Sequence, residues 1–177
     1  GVMRVLVVSQ LVERKGVDRV LRGFAGALSR RPFLRLCIVG DGPQRNALES
    51  LAFDLGIREK VDFAGFVPNS EVHSFYGRAD VFVSMSAAES WGQSCVEALS
   101  AGLPVIANSS SGAEKYVREG RTGILVEDER SFTTALVRLT SNRKRLAVMG
   151  RAARRDVIRS YDWDTVVCPQ YVGLYDE

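Results

Sequence analysis

Six short, unbroken apolar runs alternate with segments of helical spacing, and that alternation constrains the fold more than any other feature of this chain. The runs fall at 4–9, 34–39, 61–64, 80–83, 103–107 and 123–126. A strand buried on both faces reads as a continuous apolar run, whereas a half-exposed one alternates. Between the runs, apolar residues recur at helical intervals; over 17–28 they are Val17, Val20, Leu21, Phe24 and Leu28. Further helices are expected at 44–55, 70–76, 94–100, 113–118, 131–139 and 143–158, with Gly56, Gly102 and Gly120 as stops. The expected architecture is α/β: a three-layer α/β/α sandwich around a parallel six-stranded Rossmann-like sheet. The chain has 177 residues and neither repeat nor internal linker. It is read as a single domain over 1–177, of a size that hides roughly 70% of the surface its unfolded chain exposes. The pattern leaves the strand order open.

Ligands of parallel sheets bind beyond the carboxyl ends of the strands, so the loops after the runs are where chemistry is sought. The segment 89–97, E-S-W-G-Q-S-C-V-E, sets Glu89 and Glu97 on either side of a turn at Gly92 that opens a helix. The first N–H groups of a helix have no intrahelical partner and favour an anion. Carboxylates beside the same turn suit hydroxyls. Phosphate in the middle with a polyol at each end describes a nucleotide-sugar; the competing reading makes Glu89 a loop cap and Glu97 a solvated helix residue. The first loop, S-Q-L-V-E-R-K-G over 9–16, reads from its spacing as a surface turn that opens a helix, or else it offers Lys15, and beside it Arg14, to a phosphate. It is neither a Walker A loop nor a G-x-G-x-x-G fingerprint. In the turn G-D-G-P over 40–43, Pro43 suits a first helical position. Its glycines permit a tight turn, or the close approach of a ligand. The turn G-F-V-P over 65–68 offers backbone groups to a base edge, with Phe66 read as core or rim packing. His73, the single histidine, falls between the apolar positions Val72, Phe75 and Tyr76 and is read as exposed. One histidine supports neither a histidine-based triad nor a metal cluster.

Twenty-four basic and 21 acidic residues leave a net charge of +3, too little to indicate a nucleic-acid partner. Two basic runs, at 143–145 and 151–155, fall in the last helix and read as a solvated face that can assist weak docking to a membrane surface. Cys37, Cys95 and Cys168 form no zinc or redox spacing, and Cys37 is read as a small core hydrophobe. No apolar stretch is long enough for a transmembrane helix. The chain starts almost inside a strand, and is expected to be a domain excised from a longer cytoplasmic protein.

Taken in order, L-V-E-R-K-G, L-C-I-V-G-D-G-P, V-D-F-A-G-F-V-P, Y-G-R-A-D-V-F-V, E-S-W-G-Q-S-C-V-E-A-L-S-A-G-L-P-V-I-A and G-R-T-G-I-L-V resemble the C-terminal, donor-binding domain of the large retaining GT-B glycosyltransferase family. The E-x7-E pair at Glu89 and Glu97 is the centre of the likeness, and Y-D-W-D from Tyr161 resembles the family's closing segment. The resemblance implies half of a GT-B fold and a UDP- or GDP-sugar donor, with no other cofactor and no metal. By position, Lys15 matches the lysine on the donor diphosphate. Gly65, Phe66 and Val67 match the base turn. Glu89 matches the glutamate at the sugar hydroxyls, and Glu97 the one at the ribose. Trp91 and Gly92 stand for the usual Phe-Gly, and Gln93 and Ser94 lie where backbone N–H groups meet sugar and phosphate. Lys15 and Glu89 are the implied catalytic pair.

Two positions depart from the family pattern. Gln10 stands where an arginine usually grips the diphosphate; glutamine keeps a donor and loses the charge, a difference of about 1.5–3 kcal/mol. Ser111 occupies a glycine position in N-S-S-S-G-A-E-K over 108–115. The implied function is hexosyl transfer with retention, to a sugar or lipid-linked acceptor held by an N-terminal domain outside this chain, in a cytoplasmic protein for which the inner face of the membrane stays open as the place of action. Two other readings stay open: a non-catalytic sugar-nucleotide-binding module, or another GT-B enzyme such as a sugar-nucleotide epimerase.

Overall fold

The structure, a computed structural model, describes residues 1–87 and 92–161. Its six strands are β1 (Met3–Val8), β2 (Leu34–Val39), β3 (Val61–Gly65), β4 (Val81–Ser84), β5 (Val105–Asn108) and β6 (Gly123–Val126). All pairings are parallel, in the order β3-β2-β1-β4-β5-β6. The helices are α1 (Val17–Leu28), α2 (Arg45–Asp54), α3 (Asn69–Tyr76), α4 (Gln93–Ser100), α5 (Glu129–Thr140) and α6 (Arg143–Tyr161).

The pleat sends successive side chains to opposite faces, which explains the unbroken apolar runs. Val5 and Val7 join a core layer with Leu21 and Phe24 of α1, Leu48 of α2 and Phe132 of α5. Leu6, from the same strand, joins the opposite layer with Tyr76 of α3, Leu99 of α4 and Ala153 of α6. Helices thus cover both faces, giving the expected three-layer sandwich. In α5, Asp128 accepts the Ser131 N–H at 2.7 Å while the Ser131 hydroxyl accepts from the Asp128 N–H at 3.1 Å, a capping box that fixes where the helix starts. Cys37 on β2 is half-buried. Burial first, and then the Asp62 carboxylate opposite it on β3, push its thiol up to about 11.

One expected helix is absent. The stretch 113–118 forms no α-helix; 3-10 turns occupy Ser109–Ser111 and Ala113–Lys115. The Asn108 side chain accepts the Ser110 N–H at 3.2 Å, and Gly112 at φ 81° separates the two turns, so no continuous helix passes through.

Candidate functional site

β1 and β4 are neighbours, yet their chains leave the sheet toward opposite flanks. That reversal opens a crevice at the carboxyl rim, the place where doubly wound sheets bind ligands. A cleft of about 790 Å³ lies there, walled by the loop after β1, by α3 and by α4.

The loop after β1 is held on both sides. Leu11 is buried; its N–H donates to the Asp41 carbonyl at 2.9 Å, and its carbonyl accepts from the Gln44 N–H at 3.0 Å. A 3-10 turn at Glu13–Lys15 then ends at Gly16, in the left-handed region at φ 62°. A Cβ on Gly16 would lie 2.4 Å from the Met85 carbonyl oxygen beyond β4. The Arg14 carbonyl accepts from the Ala87 N–H at 2.9 Å and the Ser86 hydroxyl at 3.2 Å. A buried strut continues to β5: Asn108, 2% exposed, donates its amide to the Ser86 carbonyl at 3.1 Å, and Ser111 donates its hydroxyl to the Asn108 carbonyl at 2.6 Å. Loops after three strands are thereby tied together behind Lys15. Ser111 thus has a role in the strut where a glycine would have none.

Gly92 opens α4 at φ 56°, and a Cβ there would lie 2.2 Å from the Tyr116 phenol oxygen. Among the described residues no side chain caps this helix. The Cys95 and Val96 N–H groups donate back to the Gly92 carbonyl, and the first-turn N–H groups of Gln93 and Ser94 stand at the cleft with the positive end of the helix dipole. One turn along, Glu97 is half-buried and already engaged. Gln93 donates to its Oε1 at 2.9 Å, and the Tyr76 phenol to its Oε2 at 2.8 Å. Tyr76 is buried, and burial first, then the hydrogen bond to Glu97, hold its phenol far above the ordinary value.

A smaller groove of about 410 Å³ adjoins this cleft; both are lined by Val8, Ser9, Asn69 and Val72. It carries Gln10, Phe66 and Val67, just after Gly65 at φ 76°. Phe66 is 77% exposed and stands on the rim, outside the core. The Gly40 and Gly42 turn makes a close approach to protein backbone: Cβ atoms there would meet the Ser9 and Leu11 carbonyl oxygens at 1.9 and 2.5 Å.

The structure therefore gathers Lys15, Gly92, Gln93, Ser94 and Glu97 in one cleft and sets Gln10, Phe66 and Val67 in the adjoining groove. Glu89, Trp91 and the Y-D-W-D motif beyond Tyr161 lie outside the described residues. His73 is exposed, as expected, and lines the cleft. Tyr76 was missed as a polar group because it falls on the apolar spacing of α3; the signal was a phenol, which when buried needs a hydrogen-bond partner. Among the described residues no cluster of histidine, cysteine, aspartate or glutamate is grouped to hold a metal ion. Cations and the N–H groups of a helix start, in the same cleft as a carboxylate, suit an anion joined to a polyol.

The chain is 35% identical over 170 residues to the GDP-mannose-dependent alpha-(1-6)-phosphatidylinositol monomannoside mannosyltransferase of Mycolicibacterium smegmatis, covering 91% of this chain and 44% of that protein. It thus spans less than half the length of that relative. The sucrose-phosphate synthase of Thermosynechococcus elongatus superposes with a TM-score of 0.88 at 27% identity, over 98% of this chain and 45% of that one. Anabaena HepE in complex with UDP shares the fold, with a TM-score of 0.90 at 21% identity, over 99% of this chain and 49% of that one. The family model of the glycosyl transferases group 1 matches residues 3–156, nearly the whole described sheet and its helices, and the chain belongs to that family.

Proposed function

We propose that this chain is the donor-binding half of a retaining glycosyltransferase, taking a UDP- or GDP-sugar and transferring its hexosyl group. The observation that carries the reading is the cleft at the β1–β4 reversal, where Lys15 and the start of α4 share one wall system with Glu97. The ammonium of Lys15 and the N–H groups of Gln93 and Ser94 meet the diphosphate and stabilise the charge that develops on it as it leaves, the largest contribution such a site can make. Glu97 receives the ribose hydroxyls. Gly65, Phe66 and Val67 hold the base, with Gln10 beside them, and Gly92 lets α4 start where the phosphates lie. Glu89 and Trp91 belong to the sugar end.

The acceptor, a sugar or a lipid-linked glycan, is held by an N-terminal domain outside this chain, and attack comes from the face the diphosphate leaves. The M. smegmatis relative acts on a phosphatidylinositol mannoside, which supports an acceptor at a membrane; the site of action proposed is its cytoplasmic face. No helix among the described residues is long and apolar enough to cross a membrane. The exposed Lys144, Arg151, Arg155 and Arg159 of α6 supply a basic face for peripheral docking.

Calorimetric titration of this chain with UDP, GDP and ADP tests the reading. Binding of UDP or GDP is expected, weakened about tenfold by Lys15→Ala, with the bare nucleosides unaffected by that change. Heats of dilution alone for all three nucleotides at millimolar concentration would overturn it.

A further inference from the structure

The Glu97 carboxylate is held by two donors that differ in kind. Gln93 is exposed and sits one turn earlier on the same helix, so it moves with α4 and fixes nothing relative to the rest of the molecule. Tyr76 ends α3. Its ring is 5% exposed, lies 5.9 Å from the Phe82 ring of β4, and belongs to the apolar layer beneath α4. Its phenol is therefore a fixed point, and its one hydrogen is shared between Glu97 and, at the longer distance of 3.3 Å, the Ser94 carbonyl. A carboxylate offers about four lone-pair positions. Among the described residues each Glu97 oxygen accepts one hydrogen bond and has capacity for another. One further position on each oxygen of the same carboxylate is what two hydroxyls on adjacent carbons require. A lone hydroxyl needs only one of these positions, and a phosphate neither.

We propose that Tyr76 is a positioning residue that fixes Glu97 as the receptor for a vicinal cis-diol, and so sets the preference of this cleft for ribonucleotides over deoxyribonucleotides. The inference rests on the donor-site reading above. Burial and the bond to Glu97 keep the phenol protonated, so it stays a donor at any ordinary pH. Because α3 follows directly on the turn of Gly65, Phe66 and Val67, the same residue joins the diol receptor to the turn assigned to the base.

The test measures affinities of wild type and Tyr76→Phe for UDP and GDP and for counterparts lacking both ribose hydroxyls, with thermal unfolding of each protein alongside. Phenylalanine keeps the ring in its packing and removes only the donor. Wild type is expected to favour the ribose forms by about tenfold or more. Tyr76→Phe is expected to lose about tenfold on the ribose forms and nothing on the others. An equal loss on both forms would assign the phenol to the shape of the cleft and overturn the proposal, as would unchanged affinity for the ribose forms. Equal wild-type affinity for both forms overturns it, together with the assignment of Glu97 to the ribose hydroxyls, and leaves only the diphosphate part of the donor-site reading; binding of no nucleotide removes all of it. A cycle with Glu97→Gln guards against a change in folding: if Tyr76 acts through Glu97, adding Tyr76→Phe to that variant costs no further affinity.

Discussion

Replacing Gly16 by alanine should cost far more than the same change at Gly56, and the difference isolates one contact. Both glycines are left-handed, at φ 62° and 67°. Alanine in that region costs about 1–2 kcal/mol, partly offset by the smaller entropy of its unfolded chain, worth about 0.4–1 kcal/mol. At Gly56 nothing lies within 4 Å of the added Cβ, so the net loss there is about 1 kcal/mol. At Gly16 the Cβ falls 2.4 Å from the Met85 carbonyl oxygen and 3.0 Å from its carbon. Backbone cannot rotate aside as a side chain can, and Met85 is fully buried. Overpacking of that kind adds about 1–3 kcal/mol, for a total of about 2–4 kcal/mol. Urea unfolding of wild type and both variants, fitted with a common slope, reads the difference directly. Relief of the overlap must also move the Lys15 turn off the loop after β4, so nucleoside diphosphate affinity should fall in Gly16→Ala and hold in Gly56→Ala. Equal destabilisation of the two variants would show that the loop after β4 yields freely, and the account of a rigid tie between the loops would fail.

Asn108→Ala leaves the buried Ser86 carbonyl without its amide donor and should cost about 1–3 kcal/mol in the same unfolding assay; a loss within error would mean that water replaces the strut. Asp128 has its carboxyl held below the ordinary range, chiefly by the Ser131 hydroxyl and then by the Ser131 N–H. A depressed folded value contributes stability above the unfolded value, near 4, and loses it as pH falls through the folded one. Asp128→Ala should therefore be less stable than wild type at pH 7, with the gap narrowing in acid; a gap constant down to pH 2 would contradict the capping assignment.

The strands and most helices were legible because burial on both sheet faces leaves its mark residue by residue. Val5, Leu6 and Val7 point to alternate layers, and each must be apolar for a local reason. Strand order was not legible, since nothing in Val81 or Phe82 names β1 as the neighbour; that follows from helices covering the two faces. The 113–118 stretch has helical composition, but Gly112 and the Asn108 cap commit it to two tight turns. Lys15, Gly92 and Glu97 could be placed at one rim because each follows a strand. Tyr76 could not, because its partner is 21 positions away and only the packing of α3 against α4 brings them together. The reverse holds at Gly40 and Gly42, where glycine foretold a close approach without saying to what.

The sheet order also governs how the molecule is put together. β3, β2 and β1 come from one continuous stretch of chain and β4, β5 and β6 from another, so strand pairing within each half is local compared with the pairing between them. The seam between them is the β1–β4 edge, where Arg4 meets Asp80 across 76 positions of sequence. Closing so long a loop is entropically slow, and its contacts are rewarded late. The cleft straddles this seam, with Lys15 on one side and Gln93 and Glu97 on the other, so neither half possesses a binding site by itself. A ligand lodged there bridges the two halves, and its effect should be strongest on the rate at which they part.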